Sequence, residues 1–252
     1  MRREDLLAAL RALPATDRVI TALDVPSAEA ALALTGRLGD RARFVKVGLE
    51  LFSAGGPTVV QLLQGRGKRI FLDLKYADIP NTVAGAARVA AALGVSLVTM
   101  HASCGRAAIA AAAAALADAP ENEMRLRPAL LAVTVLTSLG PDDLAETAPG
   151  PDTIPARVSR LARLAWTAGC DGLVCSPTDL PAVRAELGGQ PLVVTPGIRP
   201  PGADQADQKR IATPRAAFAA GADFLVVGRP ITGAEDPAGA HAAIAAELEV
   251  RP

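Results

Sequence analysis

The sequence is poor in aromatic residues and cysteine, and it carries no excess of charge of either sign. Only 3% of its 252 residues are aromatic, and 26 basic residues balance 26 acidic ones. The zero net charge argues against a nucleic-acid binder that relies on a basic surface, but it is compatible with a local anion site. Three irregularly spaced cysteines, Cys104, Cys170 and Cys175, are too few for a disulfide framework or a zinc site. Packing is the role we expect for Cys170 and Cys175, which are separated by a turn that enters a strand.

Long hydrophobic runs are also missing, although half of the residues are apolar. No uninterrupted apolar stretch is long enough to cross a membrane, and the charged start Met1-Arg2-Arg3-Glu4-Asp5 lacks the apolar core of a signal peptide. We therefore expect a cytoplasmic protein with no membrane or nucleic-acid partner. The apolar half of the chain is enough for one large core, so residues 1–252 are predicted to form one domain.

Short apolar or β-branched runs alternate with helical stretches along the chain. We predict eight strands, at residues 18–25, 43–49, 69–75, 96–102, 129–136, 172–176, 191–196 and 223–228. A short N-terminal helix is predicted before them, and further helices at residues 27–38, 57–65, 82–93, 105–117, 155–168, 179–187, 213–220 and 237–249. The longest predicted loops are residues 138–153 and 199–210.

Strands this apolar are typical of a parallel sheet that is covered on both faces. Eight strand–helix units in one domain favour an α/β fold of the TIM (β/α)8-barrel class. The alternative, an open doubly wound sheet, would need a glycine-rich turn after the first strand. Asp24-Val25-Pro26-Ser27 occupies that position instead, so the barrel is preferred.

A cluster of charges ends the third predicted strand, at the rim where TIM barrels carry their chemistry. Asp73 and Lys75 are two residues apart, and side chains two apart on a strand point to the same face. Asp78 lies beyond the strand, in the loop before Pro80. Burying charges costs several kcal/mol each unless they are paired, so folding alone does not explain this cluster.

Other predicted strand ends carry further polar groups. Lys46 lies between Val45 and Val47 in a buried strand, so it needs a carboxylate partner. Gly228 and Arg229 follow the eighth strand, where such barrels bind phosphate, and arginine offers bidentate donors suited to that anion. Weaker candidates stand at the ends of the first, fifth and seventh strands: Asp24, which could merely cap a turn, Thr137, Ser138, Gly197 and Arg199.

Residues 71–82, Phe-Leu-Asp-Leu-Lys-Tyr-Ala-Asp-Ile-Pro-Asn-Thr, resemble the active-site segment of the orotidine 5'-phosphate decarboxylase family. Further similar segments follow in the family's order over most of the chain, at residues 23–24, 45–48, 134–138, 195–199, 207–210 and 227–231. The pattern is closest to the shorter, bacterial-type enzymes. The resemblance implies decarboxylation of orotidine 5'-phosphate to UMP and CO2, the last step of de novo UMP synthesis, without a metal or cofactor.

The resemblance also implies a role for each matching residue. Lys75 is the implied catalytic acid, in an alternating array formed by Lys46, Asp73, Lys75 and Asp78. In a homodimer, Asp78, Ile79 and Thr82 are implied to reach the partner's site. The implied substrate contacts are Asp24, Lys46 and Thr82 on the ribose, Thr137 or Ser138 on the pyrimidine, Gln208 between pyrimidine and phosphate, and Gly228 and Arg229 on the phosphate, with Gly197 and Arg199 in the similar segment 195–199.

Two other functions are open for this pattern. The Asp-x-Lys-x-x-Asp spacing is shared with 3-keto-L-gulonate 6-phosphate decarboxylase and hexulose phosphate synthase, which use magnesium and enediolate chemistry, but the Ile-Pro-Asn-Thr continuation speaks against them. A non-catalytic nucleotide-binding barrel is the other alternative. Among the remaining residues, His101 is expected to support the site or to pack, His241 to lie on a surface helix, and Trp166 to belong to the core.

Overall fold

The structure is a computed structural model that describes residues 1–119, 126–147, 150, 153–201 and 210–249. In these ranges eight parallel strands close into a barrel in chain order, with the first strand paired to the eighth. The strands are β1 (Val19–Ala22), β2 (Phe44–Gly48), β3 (Arg69–Tyr76), β4 (Leu97–His101), β5 (Ala129–Val133), β6 (Gly172–Val174), β7 (Leu192–Thr195) and β8 (Phe224–Val227). The closed order confirms the predicted TIM barrel and excludes the open sheet.

Helices surround the barrel. They are α1 (Arg3–Arg11), α2 (Ala15–Arg18), α3 (Ala28–Leu38), α4 (Leu49–Gln64), α5 (Pro80–Ala92), α6 (Gly105–Ala117), α7 (Pro141–Thr147), α8 (Ile154–Ala168), α9 (Leu180–Leu187), α10 (Pro214–Ala219), α11 (Arg229–Thr232) and α12 (Pro237–Glu249). Ser27 caps α3, because its hydroxyl accepts a hydrogen bond from the N–H of Ala30 at 3.2 Å. The predicted helices are all present, with ends shifted by a few residues.

Four helical stretches were not predicted: the short helices α2 and α11, the helix α7 and the first part of α4. Residues 138–153 were expected to form a loop, but α7 occupies part of that segment. In α4, residues 49–55 are helical before the predicted start at residue 57, and the helix is interrupted at Gly56, which has φ 55°. The sequence Gly55-Gly56-Pro57 is typical of a loop, and here it forms a kink between two helical turns instead.

The barrel interior is filled by alternate residues of the strands. Phe44 and Phe224 meet there edge to face, with ring centroids 5.8 Å apart. Leu6, Leu7 and Leu10 of α1 join the same cluster, so the N-terminal helix covers the amino ends of the strands. A second apolar cluster lies between the strands and the surrounding helices. The amino end of the barrel is therefore packed with apolar side chains, and space remains at the carboxyl end.

One single-residue expectation was wrong, and another holds only in part, because Trp166 packs at the edge of the core. His241 was placed on a surface helix, but it is only 1% exposed, and its Nε2 lies 3.2 Å from the carbonyl oxygen of Val19 in β1. Trp166 was assigned to the core, but it is only partly buried, and the guanidinium of Arg3 lies over its ring at 3.2 Å from the centroid. Both residues hold terminal helices against the barrel.

Candidate active site

A cavity of about 520 Å³ opens at the carboxyl ends of the strands. A volume of this size is typical of a site for a small organic ligand. The predicted site residues that line it are Asp24, Lys46, Asp73, Lys75, Thr137, Ser138, Gly197, Arg199, Gly228 and Arg229. The structure thus brings together residues that are distributed over more than 200 positions of the sequence.

Four of these residues form a continuous chain of alternating charges. Nζ of Lys46 lies 2.8 Å from Oδ1 of Asp24 and 3.7 Å from Oδ2 of Asp73. Nζ of Lys75 lies 2.9 Å from the same Oδ2 atom of Asp73. The side chains of Lys46 and Asp73 are each 11% exposed, whereas that of Asp24 is 60% exposed. The charges are therefore most protected from water at the centre of the chain, where Asp73 contacts two ammonium groups.

Side chains alternate between the two faces of a strand, and this alternation explains why these side chains meet. Phe44 and Phe71 point into the packed interior, and Lys46 and Asp73 stand two residues further along the same strands. Residues two apart share a face, so the side chains that follow the interior layer point into the mouth of the barrel. The apolar layer therefore forms the floor on which the charged groups stand.

The strand that carries Asp73 and Lys75 is irregular at this point. The register between β3 and β4 shifts between Leu72 and Tyr76, and Lys75 has a left-handed backbone with φ 51°. Thr99 of β4 contacts both residues: its hydroxyl donates to Oδ1 of Asp73 at 2.9 Å and accepts from the N–H of Lys75 at 2.9 Å. A regular strand, on which the prediction relied, is thus only part of the reason why the two side chains meet.

Gly48 has no side chain, and this leaves room for the ammonium group of Lys46. A methyl group at this position would lie 2.8 Å from Nζ of Lys46 and 3.3 Å from Oδ1 of Asp24. Gly48 and Thr99 were both overlooked as site residues. Glycine at a strand end is a weak signal of close approach, and threonine is so common in strands that nothing in the sequence distinguishes Thr99.

The loop after β3 does not point into the cavity of its own chain. Asp78, Ile79 and Thr82 are exposed, and they are absent from the cavity wall. Oδ1 of Asp78 accepts a hydrogen bond from the N–H of Ile79 at 2.6 Å. The predicted array of Lys46, Asp73, Lys75 and Asp78 is therefore present within one chain only for its first three members, and Asp24 stands at its other end.

A buried ion pair supports the segment that carries Thr137. Nη1 of Arg210 lies 2.6 Å from both carboxylate oxygens of Asp179, and Nη2 donates to the carbonyls of Val135 and Leu136 at 3.2 and 3.0 Å. Burial raises the pKa of Asp179, while the charge of Arg210 acts in the opposite direction. Arg210 thereby fixes the start of the segment at the end of β5. Gln208, two positions before it, lies outside the described residues.

Burial shifts the pKa of one histidine and of two cysteines. Burial lowers the pKa of His101, the positive charge of Lys75 lowers it further, and Asp73 acts in the opposite direction. Burial also raises the pKa of the thiols of Cys170 and Cys175, of which Cys175 lines the cavity wall. No group of three or more side chains suited to hold a metal ion occurs in the ranges that the structure describes.

The family model and the named relatives point to one family. The family model described as orotidine 5'-phosphate decarboxylase / HUMPS matches residues 17–244. Two proteins named orotidine 5'-phosphate decarboxylase are similar over nearly their full length. The one from Halorhodospira halophila is 52% identical over 94% of this chain and 98% of its own, and the one from Moorella thermoacetica is 48% identical over 94% of both.

A solved structure extends the similarity to the fold. The crystal structure of orotidine 5'-phosphate decarboxylase from Lactobacillus acidophilus superimposes with a TM-score of 0.83 at 40% identity, covering 92% of this chain and 99% of the other. The similarity therefore includes both the barrel and the segments that form its mouth. The chain belongs to the orotidine 5'-phosphate decarboxylase / HUMPS family of enzymes, which act on small-molecule substrates, as residues 71–82 predicted.

Proposed function

We propose that this chain decarboxylates orotidine 5'-phosphate to UMP and CO2, the last step of de novo pyrimidine synthesis. The observation that carries the proposal is the pair formed by Asp73 and Lys75, 2.9 Å apart at the mouth of a closed barrel. Membership of the family and the names of relatives near 50% identity support the same activity.

The chemistry needs stabilisation of negative charge on carbon. Loss of CO2 from C6 of the pyrimidine leaves an electron pair with no adjacent group to accept it. In our proposal the ammonium group of Lys75 stabilises this charge as it develops and then donates a proton to C6. Fixed charges in a site shielded from water need no reorganisation during the reaction, and they are usually the largest catalytic contribution.

Asp73 has two functions in this proposal. It holds the ammonium group of Lys75 in place through a hydrogen bond of 2.9 Å, and it stands close to where the substrate carboxylate would lie. Repulsion between the two carboxylates would favour departure of CO2. We propose that stabilisation of the transition state by Lys75 is the larger of the two contributions.

The remaining predicted residues bind the substrate in our proposal. Asp24 and Lys46 hold ribose hydroxyls, and Thr137 or Ser138 contacts the pyrimidine. The phosphate is bound by the backbone of Gly228 and the guanidinium of Arg229, with Gln208 between phosphate and pyrimidine and with Gly197 and Arg199 at the adjacent rim. The shared cavity wall supports these assignments for all of them except Gln208.

A homodimer completes the site in our proposal, with Asp78, Ile79 and Thr82 in the neighbouring subunit's cavity. Their exposure supports this, because Ile79 is a large apolar residue and is 66% exposed in the single chain. All three side chains also lie outside the cavity wall of their own chain, so a neighbouring subunit can contact them. In the dimer, Asp78 would complete the predicted array of Lys46, Asp73, Lys75 and Asp78.

The cytoplasmic location stays a prediction. No helix in the described part of the chain is long and apolar enough to span a membrane.

The test is turnover of orotidine 5'-phosphate, followed by its absorbance, with EDTA present throughout. We expect UMP as the product, and we expect Lys75→Ala to lower kcat by at least about 10³-fold, because it removes both the charge and the proton donor. Far-UV circular dichroism shows whether the variant is folded. Turnover that appears only with added magnesium, or with a sugar phosphate, would favour the other branch of the family. Tight UMP binding without turnover would favour a nucleotide-binding protein.

A further inference from the structure

Lys75 adopts an unfavourable backbone conformation beside the reacting atoms. It is the one residue other than glycine with a positive φ in the part of the chain that the structure describes. The left-handed region is sterically unfavourable for a residue with a Cβ atom, so neighbouring contacts must hold it there. The irregular register of β3 lies at the same place.

The hydroxyl of Thr99 supplies two of these contacts. It accepts a hydrogen bond from the backbone N–H of Lys75 and donates one to Oδ1 of Asp73, both at 2.9 Å. Thr99 has no exposed surface, so no water replaces either bond. Because Oδ1 is engaged by Thr99, the other oxygen, Oδ2, faces Nζ of Lys75 at 2.9 Å and Nζ of Lys46 at 3.7 Å.

We propose that Thr99 is a positioning residue for the decarboxylation site. Its hydroxyl fixes the backbone of Lys75 and the orientation of the Asp73 carboxylate at the same time, so that ammonium and carboxylate meet at the mouth of the cavity. Thr99 itself does not line the cavity. The proposal rests on the proposed function for its catalytic meaning, but the geometry it assigns to Thr99 is independent of the substrate.

The test compares Thr99→Val with Thr99→Ser. Valine keeps the volume and branching of threonine and removes both hydrogen bonds, whereas serine keeps the hydroxyl. We expect Thr99→Val to lower kcat by about 30-fold with KM within about threefold of wild type, because the groups that bind the substrate are unchanged. Thr99→Ser should restore kcat to within about threefold of wild type.

Thr21→Val is the matched control. Thr21 is also a fully buried strand threonine, but its hydroxyl has no hydrogen-bond partner among the described residues. We expect its kcat to equal that of wild type. The proposal is overturned if Thr99→Val keeps kcat within threefold of wild type, or if Thr99→Ser fails to restore it. Should Thr99→Val not fold, Thr99→Ala removes the same hydroxyl without adding volume.

Crystal structures of the variants separate this proposal from the proposed function. In Thr99→Val we expect Lys75 to leave the left-handed region, or the distance from its Nζ to Oδ2 of Asp73 to exceed hydrogen-bond length. In Thr99→Ser both should stay as in wild type. If wild type does not decarboxylate orotidine 5'-phosphate but Thr99→Val shifts Lys75, the proposed function fails and the positioning role stands. An unchanged Lys75 in Thr99→Val contradicts the positioning role whatever the activity.

Discussion

At the scale of single residues, the charges in the cavity are placed by their position after an apolar layer. Lys46 follows Phe44 by two residues and Asp73 follows Phe71 by two, so each charge points the same way as a packed ring. A lysine between two valines was predicted to need a carboxylate, and Lys46 lies near two, Asp24 and Asp73. This part of the geometry is local and follows from the sequence.

Other residue contacts could not be derived from the sequence. The hydroxyl of Thr99 in β4 bonds both Asp73 and the backbone N–H of Lys75 in β3, so these contacts join two strands. Strand period alone predicts that Asp73 and Lys75 share a face, but it does not predict a shift of register between them. The support of the Thr137 segment by Arg210 likewise depends on contacts between distant elements.

Arg229 allows a test of binding far from the reacting carbon. It follows β8 at the rim of the cavity, and in our proposal it binds the phosphate. We expect Arg229→Ala to lower kcat/KM by about 100-fold, which is ~2.7 kcal/mol of transition-state stabilisation, because remote binding energy is expressed in the chemical step. Steady-state kinetics with orotidine 5'-phosphate measure this value.

The control for Arg229 is Arg215→Ala. Arg215 is an exposed arginine of α10 that does not line the cavity, so removing it changes net charge by the same amount. Its kcat/KM should equal that of wild type. A loss below about threefold in Arg229→Ala, under ~0.7 kcal/mol, would show that Arg229 does not bind the phosphate.

At the scale of elements, the order of helices and strands followed from the sequence, but the buried side of each helix did not. The C-terminal helix α12 is rich in alanine, so its sequence shows little contrast between a buried and an exposed side. His241 was therefore assigned to the surface, whereas α12 packs it against β1. Alanine fits both environments, which removes the periodic signal on which such assignments depend.

The burial of His241 makes stability depend on pH. Burial lowers its pKa below the ordinary 6.5, and its Nδ1 is buried without a hydrogen-bond partner in the part of the chain that the structure describes. The unfolded chain therefore binds a proton at His241 more readily than the folded chain does. The stability that the neutral imidazole contributes is complete above pH 6.5 and is lost as the pH falls below it. We expect a loss of up to about 1.4 kcal/mol per pH unit from this residue.

Urea unfolding of wild type and His241→Gln at pH 7.5, 6.5 and 5.5 measures this effect. We expect the free energy of unfolding of wild type to fall more steeply below pH 6.5 than that of the variant. Carboxylates titrate in both proteins, so the difference between the two curves isolates the histidine. The same unfolding measurements on His101→Gln provide a second comparison with wild type, because burial lowers the pKa of His101 as well. If the free energy of unfolding depended on pH in the same way for wild type and His241→Gln, the lowered pKa of His241 would be contradicted.

At the scale of the whole molecule, the fold was predictable because its signal repeats. Eight apolar runs that alternate with helices predicted a barrel, and the strands close in chain order. The carboxyl ends of parallel strands meet at one rim, so the polar residues found there in the sequence were expected to converge. The cavity wall contains ten of the predicted residues, which agrees with that expectation.

The contribution of a second subunit could not be predicted from the physical pattern of one chain. Asp78, Ile79 and Thr82 stand outside the cavity of their own chain, and only the family resemblance assigned them to a neighbouring subunit. In a two-fold symmetric dimer each subunit would give this loop to the other and receive the same loop in return. The complete site is then a property of the dimer.

Subunit mixing tests this account most directly. Activity recovers in the mixture only if the chain is a decarboxylase, if it forms a dimer, and if Lys75 and Asp78 of different subunits act in one site. Lys75→Ala and Asp78→Ala subunits, each inactive alone, are unfolded together and refolded. If Asp78 acts across the interface, half of the dimers are mixed, and one site in each contains both Lys75 and Asp78.

We predict recovery of about 25% of wild-type decarboxylation in this mixture. Lys75→Ala mixed with Asp73→Ala is the control and should stay inactive, because both residues belong to the same chain's cavity and each chain then lacks one of them. No recovery in the first mixture, with refolded wild type active, would contradict a site shared between subunits.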